Sequence, residues 1–255
     1  MILLMDLQDY RNQERELVRI DDLFRLLPKG LNSVLEIGPR HGFHTRRLTT
    51  CFDSVTTVDI VQSSFSIEGV AALKGDVTQL EFPDNSFDCV LCAEVLEHVP
   101  AVERAASEIA RVTRHEAVIG VPFRQDTRIG RLTCASCGMI NPPFGHVNTF
   151  DEDRLRALFS RLQPVEFSYV GNGGERTNPF STWLMDLAGN PWGTYEQEER
   201  CIRCGARMPA PDSSSVPARV CAGLASRLTR LQKKLFFRPV PAWMHARFRK
   251  SLTAA

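Results

Sequence analysis

Residues Val34–Thr45 read VLEIGPRHGFHT. An apolar run ends in an acid, a glycine turn follows, and polar helix formers come next, which is the pattern of a buried strand feeding a turn and a helix. The chemistry of that turn decides the fold. A Gly-x-Gly-x-x-Gly dinucleotide fingerprint starting at Gly38 would need glycine where Arg40 and Phe43 stand, and it fails at both positions. What remains is acidic-x-Gly-x-Gly-x-Gly, with Glu36, Gly38 and Gly42 in place and Arg40 at the middle glycine. The replacement fits if residue 40 has ordinary backbone angles and its side chain turns away, leaving Gly38 and Gly42 to admit a ligand close to the backbone.

Working outward, strands alternate with helical patterns. YRNQERELVRIDDLFRLLP has helical spacing and ends at Pro28; HTRRLTTCF, AVERAASEIARVT and FDEDRLRALFSRL also read as helices. SVTTVDI, VAALKGD, FDCVLCA, EAVIGVPF and PVEFSYVG read as strands. Such alternation implies an α/β fold with a parallel sheet covered on both faces. Between Asn172 and Ser215 no final strand can be placed. The domain reading is a helical segment over 1–30, a ligand-binding core over 31–171 interrupted by an insertion at 122–148, a lobe over 172–212 and a basic helical tail over 213–255.

The acids at the strand ends are in register. Asp59 closes the second strand about 20 residues after the turn, where an acid accepts ribose hydroxyls, and Ile60 follows it. Asp76 follows the third strand, placed to accept an adenine amino group with Val77 flanking the ring, and Ala93 ends the fourth. With VLEIGPRHG, VTTVDI, GDVTQLEFPDNSFD and EVLEHV on the page, the chain resembles class I S-adenosylmethionine-dependent methyltransferases, especially the group similar to ubiquinone- and menaquinone-biosynthesis enzymes. The resemblance covers roughly 31–121 and resumes over 146–171. It implies a Rossmann-like, doubly wound sheet of seven strands, and S-adenosylmethionine held by Glu36, Gly38, Gly42, Asp59, Ile60, Asp76, Val77 and Ala93.

AEVLEHV raises a second question. A helix starting there would put Glu94, Glu97 and His98 on one face at i, i+3 and i+4. Two carboxylates and an imidazole suit a divalent cation. Similar Glu-x-x-Glu-His groups are metal ligands in ubiquinone-pathway O-methyltransferases and in small-RNA 2′-O-methyltransferases, where a later histidine completes the set; here FGHVNTF offers His146. Without an ion, His98 or His146 is the best general base. The catalytic candidates are therefore His98, His146 and Glu94.

Composition sets the surroundings. The chain has 255 residues, 43% hydrophobic and 24% charged, with a net charge of +1 that gives no overall pull toward nucleic acid or membrane. MILLMDLQDY is too short an apolar run for a signal peptide, and no stretch approaches the roughly 20 apolar residues of a span, so a cytoplasmic protein is expected. Of eight cysteines, Cys134 and Cys137, and Cys201 and Cys204, form two Cys-x-x-Cys-Gly knuckles. Two such turns complete a four-thiolate zinc site, with redox thiols or disulfides as the alternative. Cys89 and Cys92 lie three apart on an apolar strand, face opposite sides and read as core.

From Pro217 to Lys250 there is no acid, yet Arg219, Arg227, Arg230, Lys233, Lys234, Arg238, Arg247, Arg249 and Lys250 occur beside helically spaced leucines. The tail reads either as a helix packed on the domain with a solvated basic face or as a surface for anionic lipid or phosphorylated substrate, with nucleic acid less favoured for want of interleaved aromatics. The expected activity is O-methylation of a small molecule, sugar or lipid-linked glycan. The alternatives are metal-dependent RNA 2′-O-methylation and a non-catalytic, zinc-stapled binding module.

Overall fold

A computed structural model describes residues 14–173, 175–195, 197, 199–211, 215–236 and 240–251. The apolar opening decapeptide and Arg238 lie outside the described residues. The chain divides into two compact units, one of residues 1–123, 150–171 and 241–255, the other of 124–149 and 172–240.

The first unit is built on a seven-stranded sheet. Its strands are β1 (Ser33–Ile37), β2 (Ser54–Asp59), β3 (Val70–Lys74), β4 (Phe87–Ala93), β5 (Thr113–Pro122), β8 (Leu162–Gly173) and β9 (Val240–Lys250). The order across the sheet is β3-β2-β1-β4-β5-β9-β8. The first four neighbouring pairs run parallel, and β9 runs antiparallel to β5. Every residue of β4 is buried, as a central strand covered on both faces requires.

Successive residues feed opposite cores. Leu35, Ile37, Val90 and Cys92 pack in one cluster with Val102, Ala106 and Ile109 of helix α3 (Val102–Val112). Val34, Cys89 and Leu91 pack in the other with Ile20, Leu23 and Phe24 of helix α1 (Glu14–Arg25). The period-two alternation of β1 and β4 thus specifies a three-layer α/β/α unit, and Cys89 and Cys92 fall on opposite faces. Burial pushes both thiols far up, which keeps them inert. Helix α2 (Phe43–Leu48) follows the opening turn, and helix α4 (Glu152–Leu158) starts at an Asp151 cap that accepts the Arg154 N–H.

The basic tail is corrected by this topology. Among its described residues only 216–236 are helical; Val240–Lys250 is the strand that could not be placed earlier in the chain, inserted between β5 and β8. Its cations are structural. Arg247 and Arg249 both donate to the buried Glu116 of β5. Lys250 Nζ donates to the carbonyls of Ala110, Arg111 and Thr113 at 2.8, 3.2 and 2.8 Å, capping the C-terminal end of α3.

The second unit holds the short strands β6 (Leu132–Thr133) and β7 (Ile140–Asn141), helix α5 (Pro179–Leu187) and helix α6 (Val216–Phe236). A small buried cluster of Leu132, Cys134, Cys201 and Met208 lies at its thiol end. Among the described residues, no helix is long and apolar enough to cross a membrane.

Candidate cofactor cleft and thiolate cluster

The cleft is assembled from the carboxyl ends of β1 to β4, on either side of the point where the strand order reverses between β1 and β4, the usual ligand crevice of an open α/β sheet. Main-chain bonds carry the ladder past the strand ends. Gly38 N–H donates to Val58 O, Gly75 N–H to Asp59 O and Glu94 N–H to Gly120 O, each at 2.9 Å. These bonds bring Gly38, Asp59, Gly75 and Glu94 to one edge.

The turn after β1 is held from beneath. Glu36, almost fully buried, accepts a 2.6 Å bond from Thr45 Oγ1, which ties the strand to α2 and sets the loop between them. Gly38 has φ +71° and Gly42 φ +72°, so both need glycine's freedom. A Cβ at Gly38 would lie 2.4 Å from Val95 Cγ2, and one at Gly42 2.9 Å from the Phe65 ring. Arg40 does not have ordinary angles. Its φ of +48° is left-handed, so the middle position does adopt the conformation a glycine would supply, and arginine bears the strain.

Asp59 accepts the Val61 N–H through Oδ1 at 3.0 Å and the Arg40 N–H through Oδ2 at 3.4 Å. These bonds aim the carboxylate and leave lone pairs for a ligand's hydroxyls. Ile60 stands 67% exposed beside it, an apolar face without protein cover. Asp76 is fixed through Oδ1 by Thr78 N–H and Oγ1, both at 2.8 Å, and Val77 is buried behind it. Ala93 ends β4 at the same edge.

The Glu94–His98 stretch is not the expected α-helix. Glu94 is left-handed at φ +58°, Leu96–His98 form a single 3-10 turn, and α3 begins only at Val102. The left-handed residue interrupts the helical repeat, so Glu94, Glu97 and His98 do not share one helix face. Glu97 and His98 nonetheless have ligand atoms within 4.8 Å of each other. Glu97 is fully buried, and neither carboxylate oxygen has a hydrogen-bond partner. Desolvation, with Glu94 nearby, pushes its pKa well above the usual carboxylate range. Glu94 is also raised by burial, opposed by Arg19 Nη1 at 3.4 Å and by Trp243 Nε1, which donates to Oε2 at 3.3 Å. His146 belongs to the second unit, where its Nδ1 lies 2.5 Å from Gln125 Oε1.

Sequence reading missed Arg19 and Trp243. Arg15 and Arg19 lie over the Trp243 ring at 4.5 and 5.3 Å from its centroid, so α1 and β9 together frame Glu94. The only available signal was the alternation of VPAWMHARFRK, which marks a strand but not its neighbours.

In the second unit the four thiols converge. Cys134 Sγ lies 3.7 Å from Cys204 Sγ, and Cys137 Sγ 3.6 Å from Cys201 Sγ. All four sulfurs fall within 4.8 Å of one another. A tetrahedron with Zn–S of about 2.3 Å has edges of about 3.8 Å, so the spacing fits one zinc. The two knuckles match in detail. Gly138 N–H donates to Cys134 O and Gly205 N–H to Cys201 O, with φ +69° at both glycines. Asn141 braces them, donating to Cys201 Sγ and accepting from Ile202 N–H. Burial raises the Cys201 thiol, but N–H groups of Cys204 and Arg203 outweigh it and bring the pKa down to about 6, which suits a thiolate ligand.

A cavity of about 210 Å³ lies within the second unit, lined in part by Thr177, Thr182, Met185, Trp192 and Thr229. It holds none of the expected site residues. Arg128 and Arg131 at its wall are already paired with Asp126 and Asp186.

A family model described as a methyltransferase domain matches residues 35–120. The sterol 24-C-methyltransferase of Yarrowia lipolytica is 48% identical over 52 residues, 20% of this chain and 14% of that relative's length. The N-methyltransferase NodS of Bradyrhizobium japonicum, solved with S-adenosyl-L-homocysteine, matches with TM-score 0.51 at 15% identity, over 96% of this chain and 93% of that one. The [4+2]-cyclase SpnF matches with TM-score 0.53 at 18% identity, over 91% and 80%. Likenesses this remote speak for fold rather than reaction. Residues 35–120 are thus similar to a methyltransferase domain, and the sheet order is in keeping with that likeness.

Proposed function

We propose that the protein is an S-adenosylmethionine-dependent methyltransferase that transfers methyl to a hydroxyl of a small molecule, sugar or lipid-linked glycan. The carrying observation is the single edge that presents the Glu36-braced Gly38–Gly42 turn, the aimed carboxylates of Asp59 and Asp76, and exposed Ile60. Asp59 would accept both ribose hydroxyls, Asp76 the adenine amino group, and Ile60 and Val77 would flank the ring. Gly38 and Gly42 let the backbone approach the amino-acid end. S-adenosylmethionine supplies a methyl group on a positively charged sulfur. The chain's task is then alignment, since the leaving thioether is neutral.

The acceptor end is framed by Glu94, Glu97 and His98, with Arg19 and Trp243 holding Glu94. His98 is suited to take the hydroxyl proton as the oxygen–carbon bond forms. Glu97, with two unpartnered buried oxygens, also suits a divalent cation shared with His98, whose chemistry would be to acidify a bound hydroxyl. That observation supports the second reading, metal-dependent 2′-O-methylation of RNA. The four thiolates would hold a structural zinc, since a closed four-sulfur site leaves no open position for catalysis.

Two experiments test the reading. Asp59→Ala should weaken S-adenosylmethionine binding at least about tenfold by calorimetry, because losing one partner of a charged hydrogen bond costs about 1.5–3 kcal/mol. Unchanged affinity in a folded variant would place the cofactor elsewhere. With methyl-deuterated cofactor and a cell extract, label should appear as a methyl ether. Label on nitrogen or carbon would overturn the oxygen assignment, and loss of label after ribonuclease would favour the RNA reading. Chelation of weakly held divalent ions separates cation from histidine, for only the cation mechanism loses turnover while cofactor binding persists.

A further inference from the structure

Helix α6 is the longest helix among the described residues and has two unlike long faces. Ala222 and Ala225 are buried, and Thr229 and Gln232 on the same side bond Thr177 Oγ1 at 3.0 Å and Asn178 Nδ2 at 2.7 Å, next to the start of α5. Inward packing is therefore satisfied by small and polar residues. The opposite side carries Val220, Leu224, Leu231 and Leu235, at i, i+4, i+11 and i+15, each 45–62% exposed. Four apolar side chains in one outward stripe are not explained by the fold of the unit.

Cations border the stripe. Arg227 lies within it, Arg230 and Lys234 along one flank, and residues 216–236 contain no acid. Neither these three nor Arg219 makes an ion pair among the described residues, in contrast to the ladder-bound cations of β9. Helix α5 adds an aromatic pair, Phe180 and Trp183, stacked at 5.7 Å between centroids, and with Leu187 all three are more than half exposed. An apolar stripe with basic borders and a neighbouring tryptophan is the composition of a helix that lies in a bilayer interface.

We infer that the outward face of α6, aided by the exposed residues of α5, binds the surface of an anionic lipid bilayer. The charge selects this occupant. A second copy would bring another acid-free basic helix against the first and repel it. Nucleic acid would neutralise the cations but leave the leucine stripe in water. A bilayer with anionic headgroups takes both, apolar side chains in the acyl boundary and arginine and lysine among the phosphates. The inference is independent of the acceptor's identity, and binding to lipid needs no turnover.

The test is flotation of the full chain with two vesicle types, pure phosphatidylcholine and a mixture containing about one third phosphatidylglycerol. Binding is expected only with the anionic vesicles, and should fall in about 0.5 M salt as headgroup attraction is screened. Leu224→Glu with Leu231→Glu, and separately Arg227→Glu with Lys234→Glu, should each reduce binding at least about tenfold. All four residues are exposed, so melting temperature should not change; a change in the leucine pair leaves the charge pair to decide. The inference is overturned by failure to float at low salt or by variants that bind as the parent does. It is equally overturned by a concentration-dependent dimer that dissociates on Leu231→Glu, or by RNA binding that competes with vesicles and ignores the leucine changes.

Discussion

The two units of this chain bury apolar clusters of very different size. The first buries two apolar clusters on opposite faces of a seven-stranded sheet, with β4 covered along its whole length. Among the described residues, the thiol end of the second buries only Leu132 and Met208 beside two of its four cysteines. A core of that size cannot offset the entropy of ordering the loops around it, whereas four thiolates on one zinc can. Burial carries the first unit, and on the proposed zinc site metal coordination would hold the thiol end of the second.

Removing one thiolate is the strongest way to break that contrast. Cys201→Ser should abolish binding of about one zinc per chain, a ligand whose apparent binding free energy in small zinc peptides is about 10–16 kcal/mol. Hydrogen exchange should then quicken across residues 132–141 and 199–208, while amides of β1 and β4 keep their protection. Equal loss in both units would show one cooperative body; no loss in either would show that the second unit folds without metal.

The first unit is sharpened by a smaller change. Asp22 on α1 accepts from His245 Nδ1 at 2.8 Å, Ser168 Oγ at 2.9 Å and Arg25, joining three distant segments. Desolvation raises its pKa, but these bonds outweigh it and the net value falls to about 2. A carboxylate with a depressed folded pKa adds stability that is full above its unfolded value near 3.8 and is lost as pH falls through the folded value. Asp22→Asn should therefore cost about 1–2 kcal/mol at neutral pH after allowance for solvent screening, and little at pH about 2. Urea melts at the two pH values check it. An equal cost at both would mean that packing, not charge, accounts for the loss.

What could be read from residues alone follows from the same contrast. The alternating strands of the first unit carry their burial in their periodicity, so β1 to β5 were legible, and so were the acids that follow them. Strand β9 was not, because Arg247, Arg249 and Lys250 resemble a solvated tail until Glu116 and the end of α3 are seen to receive them. The alternation of Met244, Ala246 and Phe248, all buried, was the missed signal. The Glu94–His98 helix failed at one left-handed residue, which propensity does not reveal, since tertiary contacts through Gly120, Arg19 and Trp243 hold it. In the second unit the cysteines and the helically spaced leucines of α6 spoke, whereas helix α5, Pro179–Leu187, carried no period that could be read.

The smallest expected effect returns to Arg40, whose left-handed φ of +48° occupies the middle position of the glycine turn. A non-glycine residue there costs about 1–2 kcal/mol, while glycine's greater freedom in the unfolded chain takes back about 0.5–1 kcal/mol. Arg40→Gly should thus stabilise the protein by no more than about 1 kcal/mol, a rise of a few degrees or less in Tm. Its N–H already reaches Asp59 Oδ2 at 3.4 Å, and glycine keeps that donor. Affinity for S-adenosylmethionine should hold or improve slightly, because the backbone that meets the ligand is already in the glycine conformation. A large loss of affinity without loss of stability would mean that the guanidinium itself contacts the ligand. In that case the arginine would be a binding residue of this turn, and the strain at position 40 would serve to aim it.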